Sequence, residues 1–472
     1  MGHAPDYTPV YQAMANRTPN SMVKNACFAG IAIGVAAIAY GLFTPGTVLP
    51  DPEGLNPDFH VNEHTLRVQG SFIQNFMYFN GAAQGGFMMT VIGVTCYARW
   101  TRRFKRIAEG LAMFLPVSYA LLLLFLALGG INVFPWHQQG PEGLEAAGAH
   151  HKAVYFQTGF FWARQILGLG FMTLMSYLFV QKGLRADLGV AKEDMTKLGL
   201  SVPAEWDKKI GDWKGRKEEI ESTQNGLINM APIISIGYAL IYSVVSVDLS
   251  MSLAPYFFAN MFPAWYFMSC IWSGLIWTAI FSISMSKTLG TESLMKRNFY
   301  HDLGKLTFGF TMFWGYTTFA QYLPIWYGNM TEEIGFFLYR THGEVFGNIT
   351  LFTLVVCFGA PFVIFLSRGL KKQPSKYIYA AILAAFGIWM ERYIVNMPSI
   401  HSYWMVNEDG SPITGLPFGF IEVGMGLGFL GLFVLVVTSY LNKYPGAVVA
   451  DPYMEPDPRD VHVHPHHAHA EH

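Results

Sequence analysis

Ten apolar stretches, each of about 20 residues or more and so long enough to cross a bilayer as a helix, run through this chain. They cover 24–44, 70–98, 107–130, 156–181, 227–248, 263–287, 303–327, 347–368, 376–398 and 417–441. A water-soluble core cannot absorb so many. Of the 472 residues, 52% are hydrophobic and only 13% are charged, about half the charged share of a soluble domain. A net charge of −1 offers nucleic acid no basic field. The four cysteines lie far apart, without the CxxC or Cys/His clusters that hold an iron–sulfur centre or structural zinc, so no metal site is expected. The sequence predicts an all-α integral membrane protein of ten transmembrane helices. Its parts are a segment 1–23, a membrane domain 24–441 with a long loop at 182–226, and a His-rich tail 442–472. The first stretch has no small-residue cleavage site after it and reads as a retained span.

Basic residues set the expected orientation. One side takes both termini and the segments near 99–109, 182–226, 287–305 and 368–376, and so holds 26 of the 31 lysines and arginines. Only Arg67, Lys152 and Arg340 fall opposite, while Arg164 and Arg392 fall within spans. Both termini are therefore expected in the cytoplasm. The 182–226 loop mixes acids and bases and reads as a solvated or interfacial helix. The tail His462–His472 reads as a compositionally biased end without fixed geometry.

Ionisable groups inside spans cost about 2.5–3.5 kcal/mol each on insertion scales and mark function by default. Five stand out: Arg164, Asp248, Glu391, Arg392 and Glu422. Counted from the ends of the spans at the helical rise, they fall in one layer beneath the outer surface, on four helices. Two cations and three acids at one depth point to a shared pocket in which they neutralise one another. Snorkelling of single residues to the interface is the simpler alternative. No histidine falls in the middle of a span, so facing axial ligands for a membrane haem are missing. His137 and His401 fall on outer loops. His301, Asp302 and Lys305 fit one turn at an inner helix end, where protons could enter, although Asp302 there also compensates the helix dipole. Gln74, Asn75, Asn80 and Gln84 read as glue between helices.

Three segments carry a family resemblance: SVVSVDLSMSLAPYFFANMFPAW (243–265), FAQYLPIWYGNMTEEI (319–334) and WMERYIVNMPSIHSYW (389–404). Together they resemble the NrfD/polysulfide-reductase-type membrane subunits. More narrowly, they resemble the F-type membrane component of bacterial alternative complex III, a quinol:cytochrome c (or oxidase) oxidoreductase. Family members often carry Ser-Thr where this chain has Ala259-Asn260. The resemblance implies two four-helix bundles plus two peripheral helices, in the bacterial inner membrane. It implies as partners a second membrane subunit of the same fold, a periplasmic iron–sulfur subunit, c-type cytochrome subunits, lipid and a terminal oxidase. Iron–sulfur and c-type haem cofactors would sit on those partners and none on this chain. The resemblance makes the sister membrane subunit the better candidate for quinol oxidation and this chain a proton conductor, with a fold able to hold a quinone or menaquinone itself.

On that expectation Asp248 is the proton acceptor, and Arg164, Asp248 and Arg392 border a quinone pocket. Glu391 and Glu422 pass protons outward, His137 and His401 finish the relay, and His301, Asp302 and Lys305 open an inner half-path. The same features also fit the membrane anchor of a polysulfide- or tetrathionate-type reductase. A secondary transporter fits less well, because no internal repeat is visible. In a third alternative the charges serve only to fix helix packing.

Overall fold

The computed structural model describes residues 5–49, 61–146, 153–254, 257–406 and 413–454. Ten long helices dominate it: α1 (Ser21–Phe43), α2 (Glu63–Thr95), α3 (Trp100–Ala127), α4 (Thr158–Lys197), α5 (Arg216–Leu249), α6 (Phe262–Leu289), α7 (Arg297–Tyr327), α8 (Gly347–Leu366), α9 (Pro374–Trp404) and α10 (Phe420–Lys443). All except α2 and α7 are both long and apolar enough to cross a bilayer, eight helices in all. The chain is an all-α, multi-pass membrane protein. Large apolar side chains such as Phe43, Leu167, Leu240, Tyr316 and Val363 stand exposed on the flanks, where lipid rather than water can cover them.

Helices α2 and α7 have 33 and 31 residues but are more polar. For α2 the reason is its position. It packs against α3, α5, α6, α9 and α10, so its polar groups meet protein instead of lipid. Asn80 donates to Ser118 Oγ on α3 at 2.8 Å and accepts from Tyr242 on α5 at 2.7 Å. Gln84 donates to Ser176 Oγ on α4, and Gln74 to the Trp389 carbonyl on α9. Trp389 returns its indole N–H to Asn75 at 2.8 Å. The four amides do act between helices, as expected.

Small residues let these helices touch. A Cβ on Gly274 of α6 would lie 1.9 Å from the backbone nitrogen of Gly86 on α2. Gly34 of α1 and Gly428 of α10 meet backbone to backbone in the same way, which fastens the largely exposed α1 to α10.

The basic end is more folded than expected. Residues 99–109, a loop by hydropathy, form the start of α3, and Arg102, Arg103, Lys105, Arg106 and Glu109 are buried there. The charges of this segment bond other elements of the protein, which keeps them from water. The segment 182–226 is mostly helix, built by extensions of α4 and α5 and a short helix Trp206–Ile210. Surface pairs such as Lys192–Asp207 and Arg216–Asp194 tie its parts together. At the head of the expected free tail, Tyr444–Ala450 are packed against the protein, with the Val449 and Ala450 amides donating to Asp187 at 2.8 Å each. The histidines of the tail lie outside the described residues.

Candidate functional site: three buried ion couples

The five expected charges resolve into three separate couples, with no ion pair joining one couple to another among the described residues. Asp248, the last residue but one of α5, is fully buried. Arg164 of α4 grips it with two hydrogen bonds of 2.9 Å, and Gln165 adds a third of 2.6 Å. The backbone of α4 is π-helical over Gln165–Leu169, a distortion that turns consecutive side chains toward one spot and recurs at functional sites. The guanidinium also lies over the rings of Tyr155 and Phe160, 3.9 and 4.4 Å from their centroids.

His137 belongs to this neighbourhood. Its ring nitrogen is 3.1 Å from the hydroxyl of Thr158, the first residue of α4. Its helix, Pro135–Ala146, packs on Met251–Leu253 just beyond Asp248. Partial burial lowers the affinity of the imidazole for a proton below its ordinary value.

The second couple lies on α9. Helix α9 continues through Pro398 to Trp404, where the sequence suggests an end near 398. Glu391 and Arg392 therefore lie in the middle of a 31-residue helix, about 18–20 Å from its C-terminal end at the helical rise. Ser250, two residues past Asp248, bonds Asn396, one turn past Arg392, so what separates the first two couples is their partners. Arg392 donates to Glu391 Oε2 at 2.7 Å and to Ser269 Oγ on α6, and packs over Trp265 and Tyr266. Among the described residues, Glu391 Oε1 and Arg392 Nε have no hydrogen-bond partner.

The third couple joins Glu422, at the start of α10, to Arg67 of α2 through bonds of 2.9 and 2.8 Å. Glu422 also accepts from the Gly419 amide at 2.7 Å. Hydropathy puts Arg67 on a loop, but its helix begins seven residues before the apolar stretch does, at Glu63. Asp248 and Arg392 are thus bound to different partners, so the expected Arg164–Asp248–Arg392 pocket is not assembled as one unit.

His401 is not on a loop. It lies in the last turn of α9, fully buried, with Nδ1 2.6 Å from the Tyr339 hydroxyl. His301, Asp302 and Lys305 do share one turn at the start of α7. The Lys305–Asp302 separation is 2.8 Å and the His301–Asp302 separation 3.9 Å.

Sequence reasoning missed a fourth cluster, at the basic end. Arg106 bonds Glu109 at 2.5 Å, the Tyr440 hydroxyl at 2.9 Å, and Asp187. Asp451 pairs beside it with Arg102 at 3.1 Å and Lys105 at 3.2 Å. The only signal was the density of charge on both sides of an apolar stretch, which equally describes a solvated loop. No family model matches this chain, and neither does any curated protein.

Proposed function

We propose that this chain is a proton-handling membrane subunit of a respiratory quinol:cytochrome c, or quinol:oxidase, oxidoreductase of the alternative complex III kind. In this reading all ten long helices span the bacterial inner membrane with both termini in the cytoplasm. Helices α2–α5 and α6–α9 make the two bundles, and α1 and α10 lie outside them. The protein works beside a second membrane subunit of its own fold, an iron–sulfur subunit and c-type cytochromes.

The observation that carries the reading is the Arg164–Asp248 couple. A carboxylate without exposure is kept in place by a bidentate arginine, next to a π-helical turn, at the end of the helix that bears the first of the three family-like segments. Oxidation of a quinol releases two protons and two electrons per molecule. The electrons leave for the iron–sulfur partner, and the protons need a base and a route to water. Asp248 is that base, and His137 at the neighbouring mouth is the next acceptor outward.

The test is Asp248→Asn in the assembled complex, with quinol-dependent turnover and proton release measured together. Both should fall at least tenfold with the subunit composition unchanged. Wild-type values of both would remove Asp248 from the reaction.

A further inference from the structure

A cavity of about 580 Å³ lies between α6, α7, α8, α9 and the short helix Thr331–Thr341, away from the Arg164–Asp248 couple. Its volume is in the range of small-molecule sites. Aromatic rings recur along its wall, among them Tyr322 and Phe337, which meet edge to face at 5.3 Å. At its mouth, Phe319 of α7 and Leu354 of α8 are exposed on the apolar flank of the bundle. A solute dissolved in the bilayer therefore reaches the cavity sideways.

Polar side chains interrupt the wall, buried Arg340 among them, and four of their atoms are buried without a hydrogen-bond partner among the described residues: Trp314 Nε1, Gln321 Oε1, Thr350 Oγ1 and Glu391 Oε1. Trp314, Gln321 and Glu391 are each more than nine-tenths buried. An indole N–H can only donate and a carboxylate oxygen accepts, so donor and acceptor face one cavity. A lipid acyl chain would fill the space and leave all four atoms unsatisfied, which is costly in a buried setting. Water would satisfy them and leave the aromatic wall wet.

We propose that this cavity binds a flat, membrane-dissolved ring with oxygen substituents, of the quinone/quinol class, with the ring among the aromatic side chains and its oxygens on Trp314, Gln321, Thr350 and Glu391. Only the choice of ligand class rests on the function proposed above. The site itself follows from the cavity and its orphaned polar atoms.

The test is photolabelling of the detergent-solubilised assembled complex with an azido-substituted, decyl-tailed benzoquinone, followed by mapping of the labelled peptides. Label is expected on α7 within Phe319–Tyr327 or on α8 within Gly347–Phe358, displaced by excess decylubiquinone. Trp314→Phe removes a donor to a ring oxygen and should weaken displacement by decylubiquinone about fivefold, and Gln321→Leu removes an acceptor for a ring hydroxyl and should weaken displacement by the reduced decylubiquinol about fivefold. Thr350→Val is the check if either variant assembles poorly.

Label confined to other helices would overturn the proposal. So would label here that decylubiquinone does not displace, the signature of an acyl-chain crevice, or unchanged displacement in all three variants. A complex that takes label here but shows no quinol turnover keeps the site and loses the function. Turnover abolished by Asp248→Asn, with no label here, keeps the function and loses the site.

Discussion

Replacing Glu422 with Gln separates a packing role from a proton-carrying one. The carboxylate is fully buried, and the Arg67 guanidinium that holds it with two hydrogen bonds is 15% exposed. Removing one member of a buried ion pair costs about 3–5 kcal/mol, because the other charge is left uncompensated. The partial exposure of Arg67 and the carboxylate of Glu63, 3.9 Å from the same guanidinium, relieve some of that, and the Gln oxygen can still accept from the Gly419 amide. A loss of about 3 kcal/mol is therefore expected for Glu422→Gln. Arg67→Met with Glu422→Gln leaves no orphaned cation and should cost less than the sum of the single changes, with a coupling of about 2 kcal/mol or more. The assay is unfolding of the detergent-solubilised protein by titrated dodecyl sulfate, run as a double-mutant cycle beside proton release by the assembled complex. Strict additivity would refute the reasoning about the couple. Intact stability with proton release abolished would return Glu422 to the outward proton path.

Two further outcomes follow from the packing. Gly274→Ala forces a Cβ to within 1.9 Å of the Gly86 backbone, where nothing flexible can give way. It should cost roughly 3 kcal/mol or more, whereas Gly309→Ala, with nothing within 4 Å, should be neutral or gain up to about 1 kcal/mol. Equal effects in the same unfolding assay would count against the close approach of α2 and α6. At the basic end, burial raises the proton affinity of Asp451, but Lys105 and Arg102 outweigh it and hold the carboxyl below its ordinary value of 3.8. Its contribution is thus complete above that pH and is lost as pH falls through the lower folded value. Asp451→Asn should expose the segment 444–454 to limited proteolysis at every pH, and a wild-type cleavage rate at neutral pH would contradict this.

The positions of the apolar helices were legible because a bilayer imposes length and hydropathy together. What lay between them was not. Arg67 and Glu63 look like loop residues because hydropathy reports where lipid begins, and α2 starts before that point. Pro398 suggests a helix end, yet α9 runs through it. That difference puts Glu391 and Arg392 at mid-helix, while their pairing with each other, apart from Asp248, is what divides the expected pocket. The amides of α2 were legible too, since polar groups at helical spacing in a membrane helix need partners whichever helices supply them. The buried cluster around Arg106 was hidden for the opposite reason. Charged residues at a span end look solvated unless something folds over them, and here the segment that follows α10 does so. The cavity beside Glu391 had no sequence signal, because its walls come from stretches of chain far apart in sequence.

The separation of the couples bears on how protons can travel. A polar link does join the first two: Ser250 donates to Asn396 Oδ1 at 2.7 Å, and Asn396 donates to the Arg392 carbonyl at 2.8 Å. Its middle member is an amide, which donates and accepts hydrogen bonds but neither takes up nor releases a proton near neutral pH. The link therefore fixes α5 against α9 without connecting their carboxylates. In the function proposed above, protons accepted at Asp248 leave toward His137, and Glu391 exchanges with the occupant of its own cavity. Two sites linked through the Asn396 amide should respond independently. Asp248→Asn should leave quinone displacement at the α7–α8 cavity unchanged, and Trp314→Phe should leave the proton yield per turnover unchanged. A variant at one site that alters the readout of the other would show a connection through groups other than Asn396.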